Sequence, residues 1–214
     1  MRRTRIKICG LKRAAEIELA MSLGVDAIGL VFYPPSPRAV SLELAKELLA
    51  GVPPFVTVTG LFLNQERDDV RRVVDSLRID LLQFHGEEHA DYCESFARPY
   101  IKSIPMGGVE SGDASVADYE RSHQNALGFL LDSNSVGEAG GTGKTFSWKK
   151  MPRLAKPAIL AGGLDPGNVA AAIRGLAPYA VDVSSGVEHS RGEKDLQLMR
   201  QFVEEVRVVD REHK

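Results

Sequence analysis

The sequence predicts a single-domain (β/α)8 barrel. Strand-like and helix-like segments alternate from end to end, and eight such pairs can be traced. The chain has 214 residues, close to the roughly 200–250 typical of one such barrel. Alternation forces right-handed crossovers and therefore a parallel sheet. The competing arrangement is an open doubly wound sheet, but no GxGxxG follows the first strand. No linker, charge block or low-complexity tract divides the chain, so one domain is expected over residues 1–214.

The elements follow from local patterning. Arg5–Cys9 reads as a strand and Arg13–Leu23 as a helix. Ala27–Phe32 is continuous and apolar, as buried parallel strands are. Ser41 offers an N-cap to a helix with Leu42, Ala45, Leu48 and Leu49 on one face. Phe55–Phe62 is a third strand, and Val70, Val73, Val74 and Leu77 follow at helical spacing. Ile79–Gln83 is a fourth strand, with a helix from Glu87 to Phe96. Pro99–Ser103 is a fifth, with a helix around Ser115–Arg121. Leu127–Leu131 is a sixth, followed by a Gly-rich loop, Gly137–Gly143, and a short helix near Ser147–Met151. Ala158–Ala161 is a seventh, with a helix from Pro166 to Arg174. Ala180–Val183 is the eighth, and Leu196, Met199, Phe202, Val203 and Val206 mark the last helix.

Composition limits the function. Apolar residues make up 43% and charged residues 26%, which excludes a disordered chain. Net charge is −2, with no positive excess to neutralise a phosphate backbone, so no nucleic acid is expected as a partner. Any anionic ligand must be held by loops and a few placed cations. Cys9 and Cys93 make neither a CxxC pair nor a secreted disulfide framework. The longest apolar run, Ala27 to Tyr33, is far short of the roughly 20 residues a membrane helix needs. A soluble, cytoplasmic, reduced protein is expected, without a membrane partner and as a monomer or a homodimer.

In this fold, chemistry sits at the C-terminal ends of the strands. Those ends carry Cys9-Gly10, Arg38 beyond the second strand, Gln83-Phe84-His85-Gly86, Asp132-Ser133, Gly162-Gly163 and Ser184-Ser185-Gly186. Gly162-Gly163 lets backbone approach a ligand, and Ser184-Ser185-Gly186 adds hydroxyls and bare N–H groups. One such loop is simply a tight turn. Two on consecutive strands point to an anion cradle for a phosphorylated small molecule.

Side chains alternate along a strand, so Lys7 and Cys9 face inward while Ile6 and Ile8 meet the helices. An inward lysine needs a counter-charge, and Asp182 on the neighbouring eighth strand supplies it. That cation should also favour a Cys9 thiolate able to accept a proton, although buried cysteines commonly serve as small apolar residues. Asp132 is either a turn cap or the acid partner of Cys9. Arg38 follows a rigid Pro-rich turn, and its fork suits a planar carboxylate. His85 shares the parity of Gln83, so both can face the pocket. The run Gly140-Gly141-Thr142-Gly143-Lys144-Thr145 ends like a phosphate-binding loop of nucleotide hydrolases, but Glu138 stands where that motif needs glycine. A glycine-rich lid is expected instead. His89, His123, His189 and His213 show no ligand spacing, so no metal is expected.

In order along the chain, Lys7-Ile8-Cys9-Gly10, Gly29-Leu30-Val31-Phe32 with Ser36-Pro37-Arg38, Gly60-Leu61-Phe62, Gln83-Phe84-His85-Gly86, Leu131-Asp132-Ser133, Gly140-Gly141-Thr142-Gly143 with Phe146-Ser147-Trp148, Ala161-Gly162-Gly163-Leu164 and Val181-Asp182-Val183-Ser184-Ser185-Gly186-Val187-Glu188 resemble phosphoribosylanthranilate isomerase. Gly192 and Lys194-Asp195 also fit. The resemblance implies an Amadori rearrangement of N-(5-phosphoribosyl)anthranilate in tryptophan biosynthesis, without a cofactor. It implies Asp132 as general acid and Cys9 as general base. It also places Arg38 on the anthranilate carboxylate and the loops after strands seven and eight on the phosphate. Ser147 stands where the family usually has Asp; both residues cap helices.

Two other functions compete. Aminoimidazole-carboxamide ribonucleotide isomerases use carboxylates at the ends of strands one and five, where this chain has Cys9 and Lys102-Ser103. A catalytically idle phosphate-ligand binder would tolerate Cys9→Ser and Asp132→Asn.

Overall fold

Strand β1 (Arg5–Cys9) pairs in parallel with β2 (Ala27–Val31) on one side and with β8 (Ala180–Val183) on the other. Between them run β3 (Thr57–Phe62), β4 (Leu81–Phe84), β5 (Tyr100–Gly107), β6 (Phe129–Ser135) and β7 (Ala158–Leu160), closing a barrel in sequence order. This computed structural model describes residues 3–107, 113–135 and 154–212. The Gly137–Gly143 segment and the helix expected near Ser147–Met151 lie outside them.

Helices α1 (Ala14–Ser22), α2 (Leu42–Leu49), α3 (Arg67–Ser76), α4 (Ala90–Glu94), α5 (Asp113–Ser122), α6 (Val169–Leu176) and α7 (Leu196–Glu212) cover the barrel. Ser41 caps α2, its hydroxyl accepting from the Leu44 N–H at 3.1 Å. Ile6 and Ile8 turn outward into the main core, which also takes Val70, Val73, Val74, Met199, Phe202, Val203 and Val206 from the helices. The barrel interior holds a separate small apolar plug, Ile101, Leu130 and Ala161. Beside it lie the buried polar residues Lys7, Thr59, Gln83 and Asp182. This division is the alternation of strand side chains made visible.

Several boundaries move. The third strand starts at Thr57 because Pro53 and Pro54 lack an N–H and Phe55 turns left-handed (φ +70°), fully exposed. The fourth strand is shifted to Leu81–Phe84, and the helix after it shrinks to Ala90–Glu94. The fifth strand runs on to Gly107 and the sixth to Ser135, so Lys102 and Asp132 lie within strands. Helix α6 starts at Val169: Asp165 accepts from the Gly167 N–H at 2.7 Å, and Asn168 Oδ1 from the Asp165 N–H at 2.9 Å. Those two bonds make a turn where a helix start was expected. An unexpected hairpin, β9 (Glu188–Ser190) with β10 (Glu193–Lys194), follows the eighth strand.

Candidate active site

The C-terminal strand ends enclose a cavity of about 850 Å³, its open mouth included. Cys9, Arg38, Gln83, His85, Asp132, Gly162, Gly163, Asp182, Ser184 and Ser185 line it. Val31, Leu61, Leu130 and Leu164 add apolar wall, and Tyr33 to Arg38 form one rim. Ligand sites of this kind are concave and largely apolar, with a few convergent polar groups.

Cys9 ends β1 with its sulfur aimed inward. Gly29, its neighbour on β2, leaves the room: a Cβ there would stand 2.6 Å from Cys9 Sγ. Gly10 then turns with φ +77°, where a side chain would collide with Arg38. Beneath the sulfur, Lys7 Nζ donates to Asp182 Oδ2 at 2.8 Å, both buried, in the register Lys7↔Asp182. Lys7 therefore lies under the cavity floor. The expectation that this lysine makes Cys9 a ready thiolate needs correction. Burial raises the Cys9 thiol above its ordinary range, and Asp182 adds to the rise. Lys7 and Lys194 oppose it without prevailing.

Opposite stands a chain of three side chains. Gln83 Nε2 lies 3.3 Å from His85 Nδ1, and His85 Nε2 lies 3.0 Å from Asp132 Oδ2. Strand parity places all three inward, since Gln83 and His85 are two residues apart on and just beyond β4. The sequence pointed His85 at a ligand; the structure makes it first the partner of Asp132. Gly162 (φ +75°) lets the loop after β7 close on this carboxylate: a Cβ there would stand 2.6 Å from Asp132 Oδ1 and 2.2 Å from the Ser133 N.

The two Gly/Ser loops meet each other. Gly163 (φ +67°) follows Gly162, and its carbonyl accepts from Asn168 Nδ2 at 2.8 Å. Ser184 Oγ donates to the Cys9 carbonyl at 3.1 Å, tying the eighth strand end to the first. Gly186, expected to touch a ligand, does not line the cavity. Its missing Cβ would fall 1.8 Å from the Leu164 carbonyl oxygen, so it serves close packing of one loop on the other.

Arg38 is buried and aimed, as its Pro-rich turn suggests, but its fork is taken up within the protein. Nε and Nη2 donate to Glu188 Oε1 and Oε2 at 2.7 and 2.8 Å. Lys194 Nζ donates to Glu188 Oε1 at 2.7 Å and to the Ser184 carbonyl at 3.0 Å. The two cations and the Gly192 N–H at 3.0 Å outweigh burial and hold the Glu188 carboxyl down at about 2. Burial drives Lys194 the other way, below its usual range. Glu188, Lys194 and the rim residue Arg191 carry no strand-end signal that would mark them for the site. The available signal was a glycine flanked by charges just past the eighth strand. Among the described residues no three His, Cys, Asp or Glu side chains come together as a metal site.

Fold and cavity together define a (β/α)8 barrel with a thiol, a carboxylate and an imidazole facing one ligand-sized space. The sequence profile of the N-(5'phosphoribosyl)anthranilate (PRA) isomerase family matches residues 6–205. N-(5'-phosphoribosyl)anthranilate isomerase of Xanthomonas oryzae pv. oryzae is 50% identical over 211 residues, covering 97% of this chain and 95% of its own. The enzyme of Azotobacter vinelandii is 50% identical over 208 residues, covering 97% and 99%. The crystal structure of phosphoribosyl anthranilate isomerase from Thermotoga maritima superposes with a TM-score of 0.82 at 34% identity, over 96% of this chain and 99% of that one. A further crystal structure of such an isomerase, in complex with reduced 1-(O-carboxyphenylamino)-1-deoxyribulose 5-phosphate, gives 0.80 at 31%, over 96% and 99%. The chain belongs to the phosphoribosylanthranilate isomerase family.

Proposed function

We propose that the chain catalyses the Amadori rearrangement of N-(5-phosphoribosyl)anthranilate to 1-(2-carboxyphenylamino)-1-deoxyribulose 5-phosphate, a step of tryptophan biosynthesis, with Cys9 and Asp132 as its proton-transfer pair. The observation that carries the residue roles is their placement. Cys9 closes β1 and Asp132 lies on β6, both lining one cavity, and the loops after β7 and β8 occupy the arc between them.

A phosphate held by the Gly162-Gly163 and Ser184-Ser185 backbone leaves the sugar ring spanning acid and base. Asp132 gives its proton to the furanose ring oxygen, the ring C1′–O bond breaks, and the nitrogen lone pair makes the iminium. Cys9 removes the C2′ proton, and the C–H electrons flow into the iminium to give the enolamine. Tautomerisation to the ketone completes the isomerisation. The cation is its own electron sink, so no cofactor is required. Its positive charge also lowers the Cys9 thiol toward the thiolate when needed, adding to the pull of Lys7 and Lys194. Arg38, locked by Glu188, presents a rigid cation to the anthranilate carboxylate.

A thiol base needs a compartment that keeps thiols reduced, which favours the cytoplasm. The working unit is a monomer or a homodimer acting on a phosphorylated small molecule. The decisive test is loss of anthranilate-type fluorescence when the purified protein meets freshly made substrate. Cys9→Ser and Asp132→Asn should each lower kcat by at least ~10²-fold. Undiminished turnover in either variant would remove that residue from its role.

A further inference from the structure

The acid side of the cavity holds two groups that compete for one proton. His85 and Asp132 lie 3.0 Å apart. With one proton beyond the neutral imidazole and the carboxylate, the pair has two forms. The proton sits on Asp132, which is then an acid facing the cavity, or on His85, which leaves Asp132 a carboxylate with nothing to donate. The distance between the pair does not choose. The third side chain does.

Gln83 is buried, and its amide nitrogen lies 3.3 Å from His85 Nδ1. A reversed amide would take an Nδ1–H on Oε1, but with the amide nitrogen facing the ring, as it does here, the amide donates and Nδ1 accepts. That places the single ring proton of His85 on Nε2, donated to Asp132 Oδ2. It also penalises the imidazolium, in which a second N–H on Nδ1 would face the amide N–H. Among the described residues, charged groups that bear on the imidazole include Asp132 on β6 and Asp182 on β8. Asp182 is paired with Lys7 of β1 and bears on His85 only through space. Gln83 itself has an unpartnered buried atom, Oε1. A buried amide oxygen left without a partner costs roughly 1–3 kcal/mol.

We propose that Gln83 is a positioning residue: by donating to His85 Nδ1 it keeps the imidazole neutral in its Nε2–H form and so steers the available proton onto Asp132. With Oδ2 accepting from His85, the acid proton sits on Oδ1, the oxygen beside Gly162. This inference rests on Asp132 being the general acid.

Two measurements on the full chain test it. Nitrogen-15 spectra of histidine-labelled protein, with His85 assigned by comparison with His85→Gln, report which ring nitrogen is protonated. The neutral Nε2–H form is expected near neutral pH; the Nδ1–H form or the imidazolium overturns the proposal. Gln83→Glu offers Nδ1 an acceptor in place of a donor and should convert His85 to the imidazolium. It should lower kcat roughly 10²-fold, the scale of a lost general acid, with KM changed less than kcat. An imidazolium in Gln83→Glu with unchanged kcat also overturns it. Should that variant fail to fold, the wild-type spectrum alone decides. Asp132→Asn separates the two readings: retained turnover there removes the acid role whatever the spectrum shows. An inactive Asp132→Asn with an Nδ1–H His85 in the wild type removes only the role of Gln83.

Discussion

Two buried lysine–carboxylate pairs in this barrel look alike in distance and differ in completeness. Lys102 lies 3.0 Å from Glu88, on the helix-facing side of β5. Its ammonium also donates to the Phe84 and Gly86 carbonyls, and Glu88 accepts from the Asn64 and Gly86 N–H groups at 2.8 and 2.9 Å. Every direction is filled. Lys7 and Asp182 lie 2.8 Å apart on the cavity side, but Asp182 Oδ1 is buried without a partner and Lys7 also reaches toward Cys9. A saturated pair holds the chain in place. A pair whose carboxylate lines the cavity and whose lysine reaches Cys9 instead acts on that thiol.

The contrast predicts opposite mutational signatures. Lys102→Met strands Glu88 in the wall and should cost about 3–5 kcal/mol of stability, read by urea unfolding, while the folded fraction keeps most of its kcat. Equal stability of variant and wild type would break the comparison.

The Arg38–Glu188–Lys194 cluster, which fixes Arg38 beside the cavity, should show its contribution to stability through pH. The Glu188 carboxyl titrates at about 2 in the folded chain against an ordinary 4.5. A depressed folded-state pKa contributes stability that is complete above about 4.5 and lost as pH falls toward 2, amounting to about 3 kcal/mol in total. Buried His123, pushed down to about 4 from 6.5, loses its contribution in the same direction between those values. Unfolding midpoints at pH 7, 5 and 3 should therefore fall in order. Glu188→Gln should flatten the lower step; an unaltered lower step counts against the assignment.

Lys7→Met should do the reverse of Lys102→Met. Asp182 is already raised by burial, so it can take up a proton and limit the stability loss. Cys9, deprived of its nearest cation, should turn over roughly 10-fold more slowly, equivalent to about 1.4 kcal/mol of barrier. A stability loss with intact kcat would erase the distinction between the pairs. The smallest effect is expected far from both: Ser41→Ala should cost about 1 kcal/mol through the lost α2 cap, with kinetics unchanged.

Legibility in the sequence followed range. Strand β1 and strand β8 were readable to the residue because each is a short run bounded by a turn signal, and parity alone put Lys7 opposite Asp182. Asp132 was readable as a strand-end acid, though β6 runs three residues beyond it. Parity also brought Gln83 and His85 to the pocket. It could not show that His85 would meet Asp132, since that contact joins β4 to β6 across the interior. Arg38 shows the same limit: its aim was visible in the Pro-rich turn, its occupant Glu188 was not. Gly186 was visible as a small residue, but its need is set by the Leu164 carbonyl on another loop.

The alternation of strands and helices, the inward face of each strand and the inventory of thiol, carboxylate, cation and glycine loops were determined by the sequence itself. They depend on periodicity and on chemistry carried residue by residue. Protonation and partnership were decided only by the closed barrel. Burial raised the Cys9 thiol against its lysines, and chain closure set Gln83, His85 and Asp132 in line. The Glu188 carboxylate reached Arg38 from 150 residues away. Those outcomes depend on distance and dielectric, which exist only once the chain has closed on itself.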